Sequence, residues 1–162
     1  MIDTLDKLSG LVAKTLTTLA GVFLVAMMLL ACANMVLRAV WVPVQGTFEL
    51  MGFLGAVVAA FSLAFAQRQK SHIAVGILLK RFPMIIRRLA DAVTSLASCT
   101  FFSLCGLETY KWAGFLVQTG ELSETLQIVY HPFVLAASAG CFALAFVLLV
   151  DTLKTLTAEK VL

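Results

Sequence analysis

Four stretches of this chain are apolar almost without interruption: residues 16–37, 48–66, 89–107 and 132–150. The only charges inside them are Glu49 and Asp91, each close to an end. A helix rises ~1.5 Å per residue, so about 20 residues cross the ~30 Å hydrocarbon layer of a bilayer. Each stretch is therefore predicted to be a transmembrane helix. The first is longer than the roughly 7–15 residues of a signal-peptide core, and Ala31-Cys32-Ala33 is followed by further apolar residues, so it reads as a retained span.

The segments between the spans have patterns of their own. In the middle loop, Ile73 to Leu79 is apolar apart from Gly76, which is too short to span, and it is flanked by Arg68, Lys70, Lys80 and Arg81. Wound as a helix, it places His72, Gly76 and Lys80 on one narrow stripe. This predicts an amphipathic helix over about 71–82 lying along the membrane surface and stopped by Pro83. It serves as a membrane anchor, as a docking strut for another subunit, or as both. The second outer loop, through Tyr110, Lys111 and Trp112, is expected to prolong the third helix beyond the bilayer until Gly120 ends it. Within the second span, Gly52, Ala56, Ala60 and Ala64 recur every four residues, a small-residue face that lets another helix backbone approach closely, in this chain or in a partner. In the third, Asp91, Ser95, Cys99 and Ser103 form a similar stripe, also read as a packing face.

Charge fixes the expected orientation. Of the 12 Lys and Arg residues, all but Arg38 and Lys111 fall in the two tails or between Ala66 and Leu89, where Arg87 and Arg88 complete the basic middle loop. Short basic loops stay cytoplasmic. Both termini and the middle loop are thus predicted to be cytoplasmic, and the other two loops lie outside. With 61% hydrophobic and 13% charged residues and a mean hydropathy of +1.00, the chain has more apolar surface than a soluble core of this size can hide. No repeat or separate soluble domain is visible, so residues 1–162 read as one all-α membrane domain of four spans plus the interfacial helix.

Candidate chemistry is sparse. The four cysteines lie inside the spans with no CxxC pair and read as small packing residues. Glu49 opens the second span, where a carboxylate complements the helix dipole, and Arg38 ends the first. An Arg38–Glu49 pair would close the outer hairpin over Trp41 and Pro43, with Asn34 one turn earlier as an interhelical hydrogen-bond donor; alternatively, headgroups and water wet each charge separately. A proton-carrying acid belongs nearer the middle of the bilayer. His72 and His131 lie outside the spans, which disfavours a haem-binding bundle. No nucleotide loop, nucleophile elbow or HExxH segment appears. No enzyme activity, cofactor, metal site or nucleic-acid partner is expected.

The run from Asn34 to Val75 resembles the DctQ-like small membrane subunit, or Q subunit, of tripartite ATP-independent periplasmic (TRAP) transporters. The shared features are Asn34 and Arg38 closing the first helix, Glu49 opening the second, and Arg68 followed by Ser71-His72-Ile73-Ala74-Val75. A second echo runs from Gly120-Glu121-Leu122-Ser123 through Leu126 and Ile128 to Pro132. The resemblance implies a bacterial inner-membrane protein, in contact with phospholipids, that works with a large M subunit and a periplasmic substrate-binding (P) protein. Such a system imports organic acids on an ion gradient, typically sodium. It implies that the M subunit holds the ion and substrate sites while the Q subunit braces it. Under this reading Arg38, Glu49 and Asn34 form an outer rim, Gly52, Ala56, Ala60 and Ala64 a packing or partner face, and Arg68, Lys70, His72, Lys80, Arg81, Arg87 and Arg88 the lipid or subunit contacts. The competing reading is an independent small transporter or channel built from oligomerised four-helix protomers.

Overall fold

The apolar stretches fold as helices α1 (Ile2–Val40), α2 (Thr47–Arg68), α3 (Met84–Thr119) and α4 (His131–Thr157). The structure is a computed structural model that describes residues 2–69 and 84–157. The expected interfacial helix over 71–82, with Lys70, His72, Lys80 and Arg81, lies outside the described residues. Among the described residues, three helices, α1, α2 and α4, are long and apolar enough to cross a membrane; the expected third span lies within α3.

The lengths of the helices say what else they do. With 22 residues, α2 is about 33 Å long, close to the hydrocarbon thickness. With 39 and 36 residues, α1 and α3 run to roughly 58 Å and 54 Å and overshoot it. Gly120, with φ 65°, stops α3 in the left-handed conformation that glycine tolerates best, and its N–H closes the helix on the Leu116 carbonyl at 3.1 Å. Pro132 sits in the first turn of α4, where its missing N–H costs nothing.

The bundle is organised around α4, which packs against α1, α2 and α3, while α1 also packs along α2. Small residues set these distances. A Cβ placed on Gly140 would lie 2.7 Å from the Ala60 carbonyl carbon and Cβ, so α2 and α4 meet backbone to backbone. One cluster joins Ala13, Ala64, Ala143 and Val147 from three helices. A second gathers Ala20, Val57 and Phe61, with Leu16, Phe23 and Phe133 against it.

Against α3, α4 uses polar groups as well. Ser95 Oγ lies 2.8 Å from Thr152 Oγ1, Cys99 Sγ donates to the Ala145 carbonyl at 3.4 Å, and Ser138 Oγ donates to the Gly106 carbonyl at 2.9 Å. The Ser95–Cys99 stripe thus lies along an antiparallel seam. Each such bond within a membrane contributes only about 0.6 kcal/mol on average, so the seam owes more to close packing, such as the Phe142 ring seated over Gly106. Outward-facing Leu24, Met28, Phe101 and Leu104 are all more than half exposed, which suits a surface wetted by lipid.

Candidate functional site

Two polar constellations tie the helices together, one at each end of the bundle. At the end holding the N-terminus, the Arg68 guanidinium reaches from the last turn of α2 to the start of α1. Its Nη1 donates to Asp6 Oδ1 at 3.0 Å, to the Asp6 carbonyl at 3.2 Å and to Ser9 Oγ at 2.6 Å. Ser9 in turn donates to the Asp6 carbonyl at 3.0 Å. Gly10 leaves room for it: a Cβ there would stand 3.1 Å from Arg68 Nη2, a close contact with the mobile end of that side chain. Beside it, Gln67 Nε2 donates to Asp151 Oδ2 of α4 at 3.4 Å. Three helices are therefore linked at this end.

At the opposite end, the α3–α4 loop folds over the start of α2. The loop is shaped by an antiparallel bridge between Leu122 and Val129, by the Ser123 N–H donating to the Ile128 carbonyl at 3.0 Å, and by Gln127 with φ 50°. Its turn leaves two N–H groups without partners inside the loop, and Glu49 supplies them. The Glu49 carboxylate accepts from the Thr125 N–H at 2.7 Å and the Leu126 N–H at 3.1 Å. Next to this contact the Leu126 side chain lies directly on Gly46, where any Cβ would overlap it; Gly46 also has φ 70°, so two constraints call for glycine.

Aromatic rings extend this clasp. Phe53 of α2 stacks on Tyr130 and on Phe133, both at centroid distances of 5.4 Å, and Trp112 of α3 meets Tyr130 edge-on at 6.5 Å. Below them Ala113, Leu116 and Val134 form a third small core. Burial pushes the Tyr130 phenol above its ordinary pKa, and the charge of Glu121 with its hydrogen bond adds to the shift.

The residues singled out by sequence divide between these sites. Asn34 Oδ1 accepts from the Val44 N–H at 2.9 Å, pinning the α1–α2 turn. Glu49 faces the α3–α4 loop rather than Arg38, and no ion pair joins the two. Of the four-residue stripe on α2, Ala60 and Ala64 are buried against α4 and α1, whereas Gly52 and Ala56 are exposed. Helix geometry accounts for this split: four residues turn 400°, so a strict four-residue stripe advances about 40° per step and has rotated about 120° by its third. The stripe winds from an open face into the bundle. Arg68 belongs to the tie at the N-terminal end, and the backbone places Arg87 and Arg88 in the first turns of α3.

Sequence reasoning missed Asp6, Ser9, Gly10, Gly46 and Gly140, and it named Leu126 only within the family echo, not as a contact of Gly46. The isolated glycines were the available signal, because glycine inside a helix costs about 1 kcal/mol against alanine and so usually has a packing reason.

The family model described as "Tripartite ATP-independent periplasmic transporters, DctQ component" matches residues 27–158, most of the chain. No curated protein and no solved structure matches it. The matched region begins within α1 and runs through α2 and α3 to the end of α4; it takes in Glu49, the α3–α4 loop and Arg68, whereas Asp6, Ser9 and Gly10 precede it.

Proposed function

The chain belongs to the DctQ component family of tripartite ATP-independent periplasmic transporters, and from that premise we propose that it is the small, non-catalytic membrane subunit that braces the large M subunit during uptake. Transport would run on an ion gradient, sodium in the first instance, and carry an organic acid delivered by a periplasmic binding protein. The bundle would cross the bacterial inner membrane four times, with the third span in α3 and both termini in the cytoplasm, an orientation that the asymmetry of basic residues supports.

The observation that carries this reading is where the charged side chains go. Arg68 with Asp6, and Glu49 with the loop amides, fasten helix to helix at the two ends of the bundle. A part that must stay still while its partner moves needs such fastening and an open face for that partner. Gly52 and Ala56, exposed on α2 with nothing within 4 Å of a Cβ built on Gly52, are the residues assigned to close approach of the partner helix. Arg87, Arg88 and the basic stretch before them are assigned to the cytoplasmic membrane surface.

The test is purification in mild detergent and reconstitution in liposomes. The chain alone should give no uptake, and it should co-purify with the M subunit and support sodium-driven uptake once the binding protein is added. Gly52→Leu should abolish co-purification while the isolated chain melts like wild type, because the new side chain starts into open space, with nothing within 4 Å of its Cβ. Uptake or conductance by the chain alone would favour the independent-transporter reading and overturn this one.

A further inference from the structure

The α1–α2 hairpin holds, at the same end as the clasp, a cleft that the loop does not fill. Its volume is about 230 Å³, its walls include Met35, Phe48 and Met51, and its lip carries Asn34, Arg38 and Thr47. The walls open sideways, with Met35 75% and Phe48 82% exposed. Arg38 is exposed and, among the described residues, makes neither a hydrogen bond nor an ion pair; the acid nearest in sequence, Glu49, is engaged by Thr125 and Leu126. Thr47 Oγ1 donates to the Val44 carbonyl, and Asn34 has its carbonyl oxygen on Val44 N–H while its NH₂ group donates to no described residue. The cleft therefore offers a guanidinium and an amide as free donors above an apolar wall.

We infer that this cleft binds an anionic phospholipid, its phosphodiester on Arg38 and Asn34 and the upper part of one acyl chain along Met35, Phe48 and Met51. Charge complementarity selects this occupant. The planar guanidinium fork matches phosphate oxygens, and an anion on a lipid stem satisfies the polar lip and the apolar wall with one molecule. A zwitterionic headgroup brings its own ammonium to compete for the phosphate, so an anionic lipid is preferred. A basic residue near an anionic membrane surface gains about 1 kcal/mol, which corresponds to about a fivefold preference. The inference rests on the proposed topology in one respect only, that the leaflet is the outer one.

Trp41, 82% exposed in the same turn, is the reporter. The chain has 2 tryptophans, so Trp112→Phe leaves Trp41 alone. The full chain is placed in phosphatidylcholine nanodiscs containing brominated phosphatidylglycerol or brominated phosphatidylcholine as a minor component, and bromine quenching of Trp41 is compared. The expected result is about fivefold stronger association with the anionic lipid, lost in Arg38→Gln and kept in Arg38→Lys at reduced strength. Equal quenching by both lipids, or an undiminished preference in Arg38→Gln, overturns the proposal. So does loss of the preference once the M subunit is assembled, which would mean that a carboxylate of the partner occupies Arg38. Leaflet is read separately with an impermeant maleimide on Trp41→Cys in oriented vesicles. Labelling from the inside would overturn the topology, and the nanodisc measurement has no sidedness to be affected by it.

Discussion

Gly140→Ala is the sharpest probe of the bundle, because it adds one methyl where two helix backbones meet. The new Cβ would lie 2.7 Å from both the carbonyl carbon and Cβ of Ala60 and 2.8 Å from its carbonyl oxygen, against the ~3.5–4.0 Å of a relaxed carbon contact. No rotamer relieves a clash with backbone, so α2 and α4 must separate by about 1 Å. Overpacking of this kind costs about 1–3 kcal/mol, and the obstacle here is at the rigid end of that range. Alanine returns about 1 kcal/mol of helix propensity, leaving a net loss of about 2 kcal/mol, or about 30-fold in the folded-to-unfolded ratio. The adjoining cluster of Ala13, Ala64, Ala143 and Val147 should loosen with it. The assay is reversible unfolding of the purified chain in mixed micelles by a denaturing detergent. Gly21→Ala and Gly114→Ala are the controls, since nothing lies within 4 Å of a Cβ at either position, and they should be neutral or slightly stabilising. Adding Ala60→Gly to Gly140→Ala should restore only part of the loss, because the Ala60 backbone remains. Wild-type stability in Gly140→Ala, or an equal loss in the controls, would refute the backbone contact of α2 with α4.

Three further outcomes test the ties at the bundle ends. Glu49→Ala should raise hydrogen exchange at the Thr125 and Leu126 amides and lower uptake by the assembled transporter, with Glu49→Gln intermediate because its single carbonyl oxygen can accept one bond well. Gly10→Leu should displace Arg68 from Asp6 and cost about 1 kcal/mol in the same unfolding assay, a modest figure because the pair is about one-third exposed and screened by solvent; Gly10→Ala should be nearly silent, since only the mobile guanidinium must yield. Tyr130 should titrate above the ordinary phenol range when phenolate absorbance is followed, and Glu121→Gln should bring it down. The sign follows from the raised value: the Tyr130 contribution to stability is fully present below the ordinary phenol range and is lost as pH rises through the elevated one.

What could be read from the sequence was whatever depends on local composition. Apolar runs of span length mark α1, α2 and α4 because lipid demands them, and the DctQ resemblance is carried by local runs of residues, chiefly from Asn34 to Val75 with a second echo from Gly120 to Pro132. Partners far apart in sequence were not legible. Arg38 and Glu49 are separated by one short turn, which made them the natural pair, yet the acid is claimed by two amides 76 and 77 residues away. Nothing in a sequence shows that the loop from Gly120 to Tyr130 leaves those amides free until the loop has folded. The tie at the N-terminal end was hidden for a related reason: Asp6 and Ser9 look like a polar tail until α1 is seen to continue through them. The small-residue stripe of α2 was visible, but its division into a buried and an open half follows from the mismatch between a four-residue repeat and a helical turn, and becomes definite only once α4 is in place.

The positions of the ties also bear on what a partner could grip. The clasp joins the start of α2 to the loop leaving α3 and entering α4, so a load on that loop is carried by α2 through Glu49 and Gly46 and by the stacked rings of Phe53, Tyr130 and Phe133. The tie at the N-terminal end carries a load from α2 into α1 through Arg68 and Asp6. Both ties converge on α2, the shortest helix and the one whose length matches the hydrocarbon layer. Between them, Gly52 and Ala56 lie open on that same helix. A partner helix seated there would press on the element held at both ends, and α4 stands behind its inner half at Ala60 and Gly140. In a brace, the partner's contact should fall on the helix that its own framework holds most firmly, and by that criterion α2 is a better docking helix than α3, whose support comes chiefly from the α4 seam.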